Sequence, residues 1–292
     1  MSLKYGIVFN MVNLSGGTSS SMDKPHAVIR YFRENPGTLV LLSGGVDSAV
    51  LALLASLGTG GTTRALTFRT PLVKRSETAM ALEVASFLGI ECHVRDVDVI
   101  SNPRVRANRQ DRCFGCRKIL HAEAGKFALS YGFSAIADGV QADEIHETRP
   151  GLIAAKEDGI IHPLADAGLT KEEIREIARE AKLPNSERPA APCLATRFPP
   201  DIPLSAAWAK KIEAGEEILA SEGFSNSRIR LFPPGMASIE IDEKEIPDLW
   251  KKRDRVHALI RDAGFPVVSL DLEGLRRGKM ERFLEVKEND PD

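Results

Sequence analysis

Short unbroken apolar runs alternate with longer stretches in which apolar residues recur at helical spacing. Leu39 to Leu42 read as a buried strand. Val46, Ala49, Val50, Leu53, Leu54 and Leu57 then share one helical face as far as a stop at Gly58. "TTRALTF" is a second strand, followed by a helix that opens at Ser76 and Glu77, carries Met80, Val84, Phe87 and Leu88, and ends at Gly89. "ECHVRDVDV" is a third strand, a helix spans roughly Arg117 to Tyr131, and "FSAIAD" is a fourth strand running into Gly139. Thr170 and Glu173 form a capping box, Leu169 and Ile174 a hydrophobic staple, and the helix they open keeps Ile174, Ile177, Ala178 and Ala181 together. Alternating strands and helices from Pro25 to about Pro192 predict an α/β domain with a parallel sheet covered on both faces.

The texture changes after the proline-rich "RFPPDIP" at 197 to 203. A long amphipathic helix (about 205 to 222) precedes two short strands, "SRIRL" and "ASIEI", a helix from about Lys244 to Ala263, and a last strand, "PVVSLDL". The expected organisation is a loosely ordered extension over 1–23, an α/β domain over 24–198 and a smaller α+β domain over 199–292.

The first strand-to-helix junction carries "SGGVDS", residues 43 to 48. The first N–H groups of a helix have no internal partner and point outward with the positive end of the helix dipole behind them. Gly44 and Gly45 remove the Cβ atoms that would hold an anion off the main chain, and the Ser43 and Ser48 hydroxyls add donors, so the loop can grip phosphate. It has neither the length nor the lysine of a Walker A loop. Asp47 places a negative charge in the cradle, which fits a role in orienting a metal ion or in fixing the loop through backbone N–H groups. A Gly-Ser turn that only joins strand to helix is the bland alternative. SGGVDS resembles the signature of PP-loop ATP pyrophosphatases, a resemblance that implies an adenine nucleotide alpha hydrolase-like fold and cleavage between the α- and β-phosphates of ATP.

Composition narrows the field. A chain of 292 residues accommodates one large core and a smaller second unit. A net charge of -2 exerts no global pull on nucleic acid, although "NPRVRANRQDR" is locally basic. Neither a membrane-spanning run nor a signal peptide is legible, so the expected location is cytoplasmic and no membrane partner is expected.

Of the four cysteines, Cys92 lies in the third strand and reads as a small buried hydrophobe. Cys113 and Cys116 form a C-x-x-C pair, "DRCFGCRK", in which Gly115 lets the backbone curl so that two thiolates face one centre; Cys193 sits in "APCLATRF". Without a disulfide-forming compartment such a pair reads as metal, redox or catalytic. Zinc needs a fourth ligand, for which His121, His146 and His162 compete without a distinguishing spacing. A redox pair leaves Cys193 unused, and a three-thiolate [4Fe-4S] cluster uses all three. Asp138, Gly139 and Asp143 follow the fourth strand at its C-terminal end, where parallel sheets bind ligands, and are candidate nucleotide or Mg²⁺ contacts, a turn being the alternative.

SGGVDS, DRCFGC, "DGVQADEIHETRPGL", "PLADAGLTKEEIREIARE", APCLATR and "VSLDLEGLRRG" occur in the order of the LarE family, PP-loop sulfur transferases of nickel-pincer nucleotide biosynthesis, and the resemblance covers about residues 36 to 279. It implies that ATP adenylates a carboxylate of a pyridinium-dicarboxylate mononucleotide and that sulfur then displaces AMP to leave a thiocarboxylate. Some relatives have only the cysteine matching Cys193 and sacrifice its sulfur. Others have three and bind a [4Fe-4S] cluster, which implies that role for Cys113, Cys116 and Cys193. Arg197, with Arg228 and Arg230 on one face of a strand, matches family positions that hold substrate phosphate, a solvated strand face being the alternative for the last two. Phe68 and Arg69 end the second strand, where PP-loop relatives place adenine, and Val46 belongs to the loop; Phe68 could equally be core.

The chain departs from the family in Thr196, where serine is common, in Val140 and Gln141, which replace Thr and Asn, and in "RLFPPGMASIE", which replaces a stretch rich in His, Gly and Asp. The last change bears on the acceptor more than on the ATP chemistry. An iron-sulfur tRNA thiolase is the alternative enzyme, although a dense basic face is missing; a non-catalytic nucleotide- or cluster-binding protein is another. The expected partner is a small-molecule nucleotide, and the expected state a homo-oligomer.

Overall fold

The computed structural model describes residues 19–145, 149–276, 278, 279 and 282. The chain divides into two units, one of residues 1–97 and 113–191, the other of 98–112 and 192–292. Residues 1–18 of the expected extension lie outside the described residues, and its last part is already helical, in α1 (Ser19–Glu34).

In the first unit β1 (Thr38–Leu41), β2 (Arg64–Arg69), β3 (Glu91–Asp96) and β4 (Ala135–Ala137) form a parallel sheet in the order β3-β2-β1-β4. Parallel neighbours require crossovers, here α2 (Val46–Gly58), α3 (Arg75–Leu88) and α5 (Arg112–Tyr131); the short α4 (Pro103–Arg106), which precedes α5 in sequence, belongs to the second unit. The helix after the loop is apolar on every side and is buried accordingly from Val46 to Ser56, Asp47 excepted. Val28 and Phe32 of α1, Val84 of α3 and Ile174 of α8 (Lys171–Glu180) pack against it on one face of the sheet, while Ala124 and Phe127 of α5 cover Leu39, Leu41 and Leu66 on the other. This is the α/β architecture that the alternating pattern predicts. Two short helices, α6 (Pro150–Glu157) and α7 (Pro163–Asp166), lie between β4 and α8.

Thr170 and Glu173 form the capping box reciprocally, with Leu169 and Ile174 both in the core. α5 starts earlier than its periodicity predicts, so Cys113 and Cys116 occupy helical positions at i and i+3, rather than a curl made by Gly115, and share one face of the first turn.

The second unit contains α9 (Ala206–Ser221), capped by Ser205, and the sheet β5-β6-β7 of β5 (Arg228–Phe232), β6 (Met236–Glu240) and β7 (Val267–Leu270), antiparallel then parallel. Gly215 lets α9 approach β5 closely, since a Cβ there would stand 2.4 Å from the Ile229 side chain. The helix expected over 244–263 is broken into α10 (Ile246–Lys251) and α11 (Arg253–Asp262). Lys252 between them leaves helical geometry and donates its Nζ to the Glu222 carbonyl beyond the end of α9, at 2.6 Å.

The division between the units lies at 191–192 rather than at 198, and residues 98–112 join the second unit, which no local pattern announces. Asn108 explains it: its Nδ2 donates to the Pro199 carbonyl at 2.8 Å, and its own carbonyl receives the Asp201 N–H at 3.2 Å. The Leu204 N–H reaches the Arg106 carbonyl at 2.8 Å.

Candidate functional site

In the first unit SGGVDS turns from β1 into α2. The Ser43 N–H donates to Ser48 Oγ at 3.1 Å, and Ser48 Oγ donates to the Gly45 carbonyl at 3.0 Å, so the second serine braces the loop from inside the helix. The first intrahelical bond is Ala49 N–H to the Gly45 carbonyl, at 3.1 Å, which leaves the Val46, Asp47 and Ser48 amides free of intrahelical partners. Gly44 has φ +87°, and a Cβ on it would stand 2.3 Å from the Glu77 carbonyl oxygen on α3. Gly139, after β4, passes so close to α2 that a Cβ would stand 2.7 Å from the Ser48 nitrogen. Only glycine fits at either place, and the result is a cradle of backbone donors at the C-terminal edge of the sheet.

A lysine absent from the loop arrives from elsewhere. Lys171, first residue of α8, sets its Nζ 2.6 Å from both carboxylate oxygens of Asp47, and its backbone N–H donates to Asp143 Oδ2 at 2.8 Å. Asn185, fully buried, donates to the Gly44 carbonyl at 2.8 Å. Both escaped the sequence reading: the capping box announced where α8 begins but not what its first residue would touch.

Asp138 is buried, with Oδ1 2.6 Å from His162 Nδ1 and accepting the Val140 N–H at 3.2 Å. Burial opposes its ionisation, but His162 and the nearby Arg117 outweigh burial and hold the carboxyl below its usual range. Burial likewise opposes the His162 charge, and Asp138 overcomes it, raising the imidazole. His121, also buried, places Nδ1 2.9 Å from Asp158 Oδ2. Two of the histidines weighed as zinc ligands are thus engaged with aspartates, and His146 lies outside the described residues. Phe68 packs against Leu39, Leu41 and Leu66 in the core, and Arg69 pairs with Asp96 at 3.1 Å on the surface. Cys113 is exposed, Cys116 half-buried, and neither is in a disulfide. Cys92 packs at the core margin, where burial pushes its thiol up to about 11.

In the second unit Cys193 is exposed and precedes a 3-10 turn, Leu194–Arg197. Its carbonyl accepts the Thr196 N–H at 3.1 Å and the Thr196 hydroxyl at 2.9 Å. Arg197 is 1% exposed and binds Glu216 of α9 through Nε at 2.8 Å and Nη2 at 3.0 Å. Arg230 binds Glu240 at 2.8 Å through Nε and the Thr196 carbonyl at 2.6 Å through Nη1. Arg228 is half-buried and donates to the Ser227 carbonyl at 2.8 Å; burial first, then the charges of Arg197 and Arg230, lower its pKa. The three expected phosphate-binding arginines therefore lie together, but Arg197 and Arg230 are neutralised by buried glutamates. Among the described residues, no group of three or more His, Cys, Asp or Glu side chains is arranged to hold a metal ion, and no helix is long and apolar enough to cross a membrane.

The asparagine synthase family profile matches residues 26–102, a span that includes the loop and lies mostly in the first unit. An uncharacterised protein of Synechocystis is 32% identical over 87% of this chain and 96% of its own. The pyridinium-3,5-bisthiocarboxylic acid mononucleotide synthase of Lactiplantibacillus plantarum is 31% identical over 243 residues, 82% of this chain and 87% of that enzyme. An NMN synthetase structure from Francisella tularensis is 21% identical over 59% of this chain and 75% of its own, with a TM-score of 0.46. Identity of 31% to the Lactiplantibacillus enzyme over more than four fifths of both chains places this chain in the LarE family of PP-loop proteins.

Proposed function

We propose that this protein is an ATP-dependent sulfur transferase that adenylates a carboxylate of a pyridinium-dicarboxylate mononucleotide and converts it to a thiocarboxylate, in the biosynthesis of a nickel-pincer nucleotide. The observation that carries the reading is the 31% identity, across 82% of the chain, to an enzyme named for the bisthiocarboxylic acid product.

In this reading the Val46, Asp47 and Ser48 amides, the Gly44 and Gly45 main chain and the Ser43 hydroxyl hold the ATP phosphates, while the Ser48 hydroxyl braces the loop. Lys171 supplies the cation that the loop lacks, Asp47 would orient a Mg²⁺ ion brought in with the triphosphate, and Asp138 and Asp143 would serve as further contacts to the nucleotide or its Mg²⁺. Phe68 and Arg69 border the adenine side, and the Gly139 main chain closes on the loop. A carboxylate oxygen of the substrate attacks the α-phosphorus, the bond to the β-phosphate oxygen breaks, and pyrophosphate leaves. The acyl adenylate carries AMP as a good leaving group in place of an oxide. A sulfur nucleophile then adds to the acyl carbon and AMP departs. Arg228 offers its remaining donors to the substrate phosphate.

Three cysteines outside any disulfide, two of them exposed, are a donor set suited to iron, and Cys113, Cys116 and Cys193 would hold a [4Fe-4S] cluster that supplies a sulfide for transfer. Cys193 is the thiol on which sulfur delivery depends, by this route or by loss of its own sulfur.

The test is release of pyrophosphate and AMP on mixing ATP, Mg²⁺ and the dicarboxylate mononucleotide with the protein, with thiocarboxylate identified by mass spectrometry. Asp47→Ala should abolish both products. Pyrophosphate release that ignores the mononucleotide but responds to tRNA would overturn the reading in favour of a tRNA thiolase.

A further inference from the structure

Arg197 is poorly suited to bind a substrate phosphate. It has five N–H groups, and four are used inside the second unit: Nε and Nη2 on the two Glu216 oxygens at 2.8 and 3.0 Å, and Nη1 on the Pro192 carbonyl at 3.1 Å and on Thr196 Oγ1 at 2.9 Å. Pro192 and Thr196 flank Cys193 on either side. The Thr196 hydroxyl accepts from Arg197 and in turn donates a hydrogen bond to the Cys193 carbonyl at 2.9 Å. Arg230 adds a second tie, Nη1 to the Thr196 carbonyl at 2.6 Å, and is itself held by Glu240. Glu216 Oε1 also accepts the Ile229 N–H of β5, at 3.1 Å, so the carboxylate that fixes Arg197 is anchored to the sheet.

A buried ion pair is weak evidence of a stability role, because an apolar pair of the same volume often serves as well or better. Here the pair ends on the backbone on both sides of Cys193. Building on the sulfur-transferase reading, we propose that Arg197, fixed by Glu216 and linked through Thr196, is a positioning residue that sets the Cys193 turn, and does not bind substrate phosphate. The sulfur must approach an acyl carbon along a restricted path, and a misplacement of about 1 Å costs on the order of 100-fold in rate. Adenylation needs no such alignment of Cys193. Loosening the turn therefore separates the two half-reactions.

The experiment compares Thr196→Val, which removes the hydroxyl link at nearly constant volume, with Thr196→Ser, which keeps it. Thiocarboxylate formed per pyrophosphate released should fall ~10-fold or more in Thr196→Val and recover in Thr196→Ser, with KM for the mononucleotide within about twofold of wild type. Arg197→Lys, which keeps the charge but loses the fork, should likewise lower the ratio and leave KM. Independently of activity, amide hydrogen exchange in the peptide around residues 190–200 should speed up in Thr196→Val and return to the wild-type rate in Thr196→Ser. An unchanged ratio or unchanged exchange in Thr196→Val overturns the proposal, as does a raised KM with an intact ratio in Arg197→Lys. A wild-type protein that releases no pyrophosphate with the mononucleotide sinks the functional reading instead, and the exchange measurement still judges the turn.

Discussion

Asp47 would bring an uncompensated negative charge into an anion cradle were Lys171 not 2.6 Å from both its carboxylate oxygens. In the proposed reaction, Mg²⁺ and ATP would offer each member of the pair a stronger partner, the metal for Asp47 and phosphate oxygens for Lys171. Lys171→Ala should therefore lower mononucleotide-dependent pyrophosphate release by ~10²-fold, with partial recovery in Lys171→Arg. The thiols differ as sharply. Cys92, with its pKa pushed up to about 11 by burial, is almost entirely protonated at about pH 8, whereas Cys113 and Cys193 are exposed. Alkylation of iron-free protein followed by peptide mass mapping should label Cys113 and Cys193 well before Cys92. The C-x-x-C pair, the loop glycines and the exposed third cysteine were legible as residues because their meaning lies in short spacings; Lys171 was not, since its partner is 124 positions away.

The start of α8 is the element on which the cradle's lysine depends. The capping box holds Thr170 and Glu173 together, Lys24 reaches Glu173 Oε1 at 2.8 Å, and Lys171 lies between the box residues. Thr170→Ala should cost about 1 kcal/mol by loss of the cap and should also weaken ATP binding. Burial works against the Glu173 charge, but Lys24 and Thr170 prevail and its pKa is lowered. A lowered carboxylate contributes stability that is full above its unfolded-state range and is lost as pH falls through the folded value. Unfolding midpoints measured from pH 7 downward should show an acid-limb loss in wild type that is shallower in Glu173→Gln. Caps and staples are readable because they are local, within one turn. The early start of α5 was hidden because "DRCFGC" has no apolar periodicity, and the break at Lys252 because the Glu222 carbonyl that captures its side chain belongs to another element.

At the scale of the molecule, each unit has its own chemistry: the first contains the cradle with Cys113 and Cys116, the second Cys193 with its buried arginines. Iron and acid-labile sulfide should each reach about four per chain after anaerobic reconstitution, and both should be lost in Cys193→Ala, while that variant still releases pyrophosphate in the adenylation step. Loss of pyrophosphate release with the iron would mean that the half-reactions cannot be separated by unit.

The succession of strands, the glycine-rich turn from β1 into α2 and the capping box were determined by the sequence alone, because each rests on backbone geometry or on side chains a few residues apart. Tertiary structure alone decided that Lys171 meets Asp47, that Asn185 holds the Gly44 carbonyl, that residues 98–112 join the second unit, and that Arg197 is consumed by Glu216. Those outcomes depend on which charges and amides the packed core brings within about 3 Å of one another, and no local spacing encodes that proximity.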